Sequence, residues 1–101
     1  MRIITKESID AFYKMKKFKK RNMEVEISSI CINLKLHGHT IAERDIINGD
    51  LYISTSGYNT VTTRDRLNGL EGVHITCIKR ELKLNGYPWN GELKQIYDNR
   101  N

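Results

Sequence analysis

The side chains able to do chemistry in this chain of 101 residues are few, and each has an ordinary structural alternative. His37 and His39 flank Gly38, a spacing that on a strand points both imidazoles to one side. A zinc site would want two further ligands or an open position, and His74, Cys31 and Cys77 are the only other soft donors. Both cysteines fall within apolar alternation, which reads as burial in strands inside a reducing compartment. His37-Gly38 is therefore taken as a tight turn, with no metal and no cofactor expected. Thr60, Thr62, Thr63, Arg64 and Arg66 gather around a helix start, where free amides and flanking arginines would suit a phosphate or carboxylate. Threonines at such a place more commonly act as caps. Trp89 is the single tryptophan. Exposed, it would anchor an interface or stack on a base; otherwise it closes the core.

The pattern expected of an enzyme is missing. Ser54 and Ser56-Gly57 lie outside any nucleophile elbow, no glycine-rich phosphate loop occurs, and no Cys/His pair has a recognisable spacing. Glu43, Asp45 and Asp50 sit around a hairpin, where solvated carboxylates are ordinary. No catalytic residue is assigned, and a binding role is expected.

Charge is the strongest remaining signal. Residues 14–21 carry Lys14, Lys16, Lys17, Lys19, Lys20 and Arg21 without an acid, and these six exceed the whole net charge of +5. The remainder is close to neutral. Such a collar would neutralise phosphates, with a log–log salt slope on the order of −3 to −5, or meet an acidic protein surface. It would equally serve a helix C-terminus and solubility. A continuous helix would scatter the six charges around its axis, so a helix end followed by a loop is expected.

The elements that must position these residues follow from periodicity. Ile9, Phe12 and Tyr13 share a helical stripe with Met15 at its edge, giving a helix over about residues 6–17 with Thr5 as cap and Glu7 in its first turn. From Met23 the period is two: Val25 and Ile27, then Ile30, Ile32, Leu34 and Leu36 after a parity slip at Ser28-Ser29. Asn48-Gly49 and Asn85-Gly86 give two-residue hairpin signals. Thr62 through Leu70 reads as a short helix with Thr62 as N-cap, Asp65 in the capping-box position and Gly69 as the stop. Val73, Ile75 and Cys77, then Leu82 and Leu84, mark two more strands, with a short edge around Leu93 to Ile96. The expected fold is a single α+β domain over residues 1–101. It has a curved antiparallel sheet of about five to six strands, an N-terminal helix and a short central helix. No apolar run approaches the roughly 18 residues of a membrane span, and the first residues lack a signal-peptide layout, so a cytoplasmic setting is expected.

Several phrases taken in order carry a resemblance: Leu36-His37-Gly38 with Ile41-Ala42, Leu51-Tyr52-Ile53-Ser54 leading to Gly57-Tyr58, Thr60 with Thr62-Thr63-Arg64 and Arg66-Leu67-Asn68, then Leu84-Asn85-Gly86 with Trp89-Asn90-Gly91. Over roughly residues 10–96 the chain resembles a group of small, mostly uncharacterised bacteriophage and prophage proteins. His39 departs from the group, which more often has asparagine there. The resemblance implies a compact accessory protein of a mobile element and no particular reaction. Small phage proteins without catalytic motifs often bind and block a host protein, as anti-CRISPR proteins do. The leading expectation is thus a phage-type inhibitor of a host factor, with the collar and the Trp89 segment as contact surface. Its partner would be a host protein or protein–nucleic-acid complex in the host cytoplasm. The alternative is direct nucleic-acid binding through residues 14–21, and a homodimer through an unpaired sheet edge stays open.

Overall fold

In the computed structural model, residues 2–97 are described. The domain expectation also covered Met1 and residues 98–101, which lie outside them. Helix α1 spans Ile3–Tyr13. It starts earlier than the sequence indicates because Thr5 is no cap: Arg2 holds the N-cap position without a side-chain bond. Thr5 is fully buried and its hydroxyl faces Asp65 and Arg66. The helix also stops earlier. Met15 enters the left-handed region at φ 55°, and the Lys16 amide reaches the Ala11 carbonyl at 2.9 Å, with Met15 N to Phe12 O at 3.4 Å. That is a Schellman stop made without glycine, so composition gave no sign of it.

Strands β1 (Phe18–Lys20), β2 (Met23–Ile27), β3 (Cys31–Leu36), β4 (His39–Asp45) and β5 (Leu51–Ile53) form an antiparallel meander, and β9 (Lys94–Ile96) closes its far edge in the order β1-β2-β3-β4-β5-β9. A shift between Leu34 and Lys35 makes Ile41 the extra residue of β4, which leaves both Ile41 and Ala42 buried. The His37-Gly38 turn is tight, with φ 51° and 80°. At Asn48-Gly49 only the glycine is left-handed, at φ 78°. The loop there is longer than two residues, because Asp45 N bonds Asp50 O at 2.9 Å and Asp45 Oδ1 accepts the amides of Ile47 and Asn48.

Helix α2 is Val61–Leu67. Its cap is Thr60, whose Oγ1 accepts the Thr63 amide at 3.1 Å. Thr62 therefore stands inside the helix, and Asp65 bonds Thr5 instead of the helix start. Gly69 lies where a Cβ would come within 2.9 Å of Ile9 Cγ1, so it serves the approach of α2 to α1.

Strands β6 (Ile75–Ile78), β7 (Glu81–Leu84) and β8 (Tyr87–Pro88) form a separate three-stranded antiparallel sheet. The α+β class, the N-terminal and central helices and the six-stranded antiparallel sheet are thus as expected; the second sheet is additional. One core joins the parts. Ile9, Phe12, Val25, Ile32, Leu34 and Ile53 pack with Leu67 and Leu70, and Ile75 and Leu84 of the small sheet belong to the same cluster.

Candidate functional site

The six bases of residues 14–21 do not form one free cationic surface. Lys14, Lys16 and Lys17 occupy the end of α1 and the following loop, while Lys19 and Lys20 belong to β1, the outer strand of the large sheet. Lys14 Nζ pairs with Asp10 at 3.2 Å and Lys20 Nζ with Glu7 at 3.0 Å. Lys19 lies opposite Glu24 in register. Among the described residues Lys16, Lys17 and Arg21 have no acidic partner. A lysine-bearing outer strand also discourages edge-to-edge pairing of sheets.

The two arginines of the threonine cluster part company. Arg64 is half-buried, its Nη1 held by Asn59 Oδ1 at 2.6 Å. Arg66 is 1% exposed. Its Nη1 donates to Thr5 Oγ1 at 2.7 Å and Asp65 Oδ2 at 2.9 Å, and Nη2 to Asn22 Oδ1 at 3.4 Å. Arg66 is therefore corrected from a candidate contact to a buried clamp between α1, α2 and the β1–β2 turn. No outside partner reaches it.

Trp89 is half-buried against the core, its indole N–H donating to the Glu92 carbonyl at 2.9 Å. That bond fixes the ring in an open groove of about 730 Å³ between the β7–β8 hairpin and the segment running to β9. Leu82, Pro88 and the 69%-exposed Leu93 supply apolar surface to it. Glu81, Lys83, Glu92 and Lys94 line it with both signs of charge. The segment is tied down at Gly91, whose carbonyl accepts from the Thr55 amide at 3.0 Å and from the Ser54 hydroxyl at 3.2 Å.

A second cavity of about 420 Å³ opens beside the His37-Gly38 turn, with buried Leu36 and Ile41 at its base. His39 and Tyr58, both in its lining, lie ring against ring, centroids 4.9 Å apart and tilted by 39°. Hydroxyls of α2 and its cap complete the lining. His37 and His39 are both exposed, and no three His, Cys, Asp or Glu side chains among the described residues stand together as a metal site would require. Cys31 and Cys77 are free thiols on strands of different sheets, as expected, and are half-buried where burial was expected.

A lysine-bearing segment, a groove at Trp89, a buried arginine clamp and a separate small cavity are thus present, and the family model described as Kyanoviridae Gp96 protein matches residues 1–96. The chain belongs to the Kyanoviridae Gp96 family. No curated protein and no solved structure matches it. Membership in the Gp96 family makes this a phage protein and agrees with the resemblance read from its ordered phrases. No helix of the described residues is long and apolar enough to cross a membrane.

Sequence reasoning picked out Trp89 in this Gp96 protein but not Leu82 or Leu93 beside it. Its period-two spacing marks Leu82 only as a strand residue, and the groove exists because β9 returns to the large sheet. It likewise did not join His39 to Tyr58, which stand on different segments. The His37-Gly38 turn and the Gly57-Tyr58 phrase were each visible; their meeting was not.

Proposed function

We propose that this Gp96-family protein is a non-catalytic phage accessory protein that binds and inhibits a host factor, a host defence complex being the target class, with the Trp89 groove as its contact surface. The observation that carries this reading is the groove's composition. A fixed, half-buried tryptophan beside exposed Leu93, edged by two acids and two lysines, suits a protein surface. A polyanion would be repelled by Glu81 and Glu92 as much as drawn by Lys83 and Lys94. Family membership supports the viral side of the reading. The collar supports direct nucleic-acid binding less well, because Lys14 and Lys20 already face acids. Action in the host cytoplasm belongs to the same proposal.

A tagged pull-down from host lysate, split into nuclease-treated and untreated halves, tests it with wild type and Leu93→Asp side by side. Leu93 is exposed, so the variant keeps the core intact. A stoichiometric protein partner that survives nuclease and is lost with Leu93→Asp is expected. Loss of every partner in the nuclease-treated half would overturn the reading.

A further inference from the structure

We infer that the cavity walled by His39 and Tyr58 is a nucleotide site, the base lying against this ring pair and the phosphate turned toward Arg21. The site is distinct from the Trp89 groove and does not depend on what that groove binds.

Shape comes first. A cavity of about 420 Å³ lies within the ~300–1,000 Å³ usual for small-molecule sites. Tyr58 is 51% exposed and His39 is exposed, so ring surface is available for stacking. Stacking of a base on an aromatic side chain is tolerant of sequence because every base has a π face.

Polarity narrows the class. No aspartate or glutamate lines the cavity, which disfavours a cationic ligand or a metal. Nor does it hold an amide or carboxylate to grip the vicinal hydroxyls of a sugar. It offers neutral groups that both donate and accept: the imidazoles of His37 and His39, the Tyr58 phenol and the Thr62 hydroxyl. None of these four side chains has a hydrogen-bond partner among the described residues. By contrast Thr60 and Thr63 are occupied with each other, their hydroxyl oxygens 3.0 Å apart, and so hold the wall in place. Groups of this kind match the mixed donor and acceptor edge of a nucleobase.

Charge places the phosphate. The Asn22 carbonyl accepts the His37 amide at 2.8 Å, bringing the β1–β2 turn against His37, a residue of the cavity lining. Arg21, the preceding residue, is exposed, left-handed at φ 54°, and without an acidic partner among the described residues. Its guanidinium is suited to a phosphate beside the stacked base. Thus one of the collar's cations without an ion pair gains a role next to a shaped cavity, instead of along a strand-length groove.

The chemistry is shared by a free nucleotide and by a nucleotide within a single strand, and the two are separable. The purified chain, ¹⁵N-labelled, is titrated with adenosine 5′-monophosphate, uridine 5′-monophosphate, hexathymidylate and inorganic phosphate while amide shifts are followed. Base-bearing probes are expected to move the amides of residues 37–39 and 58–63, and inorganic phosphate alone to leave them in place. Similar affinity for mononucleotide and hexamer identifies the free nucleotide as the source; a large gain with the hexamer identifies the strand. Tyr58→Ala, at an exposed position, should weaken the base-bearing probes about five- to a hundredfold, and in a further titration with adenosine, which lacks the phosphate, Arg21→Gln should narrow the difference between adenosine monophosphate and adenosine. Shifts confined to residues 14–21, or affinity unchanged in Tyr58→Ala, would overturn the proposal.

Discussion

Arg66 shows how far the type of a residue can mislead about its place. In the sequence it is one of two arginines beside a threonine-rich turn, and an anion contact is the natural reading. In the fold its guanidinium is enclosed by Thr5, Asp65 and Asn22, and its Nε has no partner. A buried cation is tolerated because Asp65 is at 2.9 Å, and breaking such a pair is costlier than forming it is favourable. Asp65→Ala leaves the charge of Arg66 uncompensated and removes the acceptor of the Thr5 hydroxyl. The expected loss is about 3 kcal/mol, at the low end for an orphaned buried charge, because the Asp65 side chain keeps 24% of its surface exposed. Urea unfolding checks it. A loss under about 1 kcal/mol would place this pair with ordinary surface ion pairs. Thr5 and Asp65 are 60 residues apart, so no local pattern could have joined them.

At the scale of elements, a glycine or a parity slip, as at Ser28-Ser29, marks where the chain turns, while left-handed turns built without either leave no sign. His37-Gly38 and Asn85-Gly86 both show left-handed pairs, as their composition implies. Lys79-Arg80 makes the same kind of turn between β6 and β7, at φ 52° and 67°, with no residue that signals it. The stop of α1 at Met15 escaped for the same reason. Strand β1 leaves no sign in the sequence because three residues rich in lysine carry no alternation. Pairing between β2 and β3 carries its own electrostatics. Lys35 lies 3.1 Å from Glu26 and, through its hydrogen bond and its charge, holds that carboxyl below its ordinary value of 4.5. A lowered folded value means that the contribution to stability is present above the unfolded value and is lost as pH falls through the folded one. Carboxyl carbon shifts followed by NMR from pH 6 downward should therefore show Glu26 titrating later than an ordinary glutamate on acidification. Lys35→Met should return it toward 4.5. Because Glu26 is exposed, the unfolding midpoint at neutral pH should scarcely move. A Glu26 titration unaltered in Lys35→Met would remove the pair as its cause.

For the molecule as a whole, the class and the meander could be read because period-two runs name their own strands, while the partition into two sheets could not. Periodicity marks Ile75 and Leu84 as inward-facing, yet says nothing about which edge a later strand joins. Only the return of Ile96 to a position opposite Leu51 separates the large sheet from the small one and opens the Trp89 groove between them. Charge had the same limit: the sequence located the excess in residues 14–21, and the fold decided how much of it is free. Lys14 and Lys20 face Asp10 and Glu7, whereas Lys16, Lys17 and Arg21 face no acid among the described residues. Retention on a heparin column separates these two sets. Replacing Lys16, Lys17 and Arg21 together by glutamine removes three free cations and should reduce the salt slope by roughly 2–3. Replacing Lys14 and Lys20 by glutamine should change it by less per residue, since Asp10 and Glu7 already engage these two lysines and leave them less to neutralise on a polyanion. Capture of a host protein through the groove should persist in the triple variant and vanish in Leu93→Asp. If the triple variant instead loses that partner while Leu93→Asp retains it, the contact surface is the collar, and the groove does not carry the function.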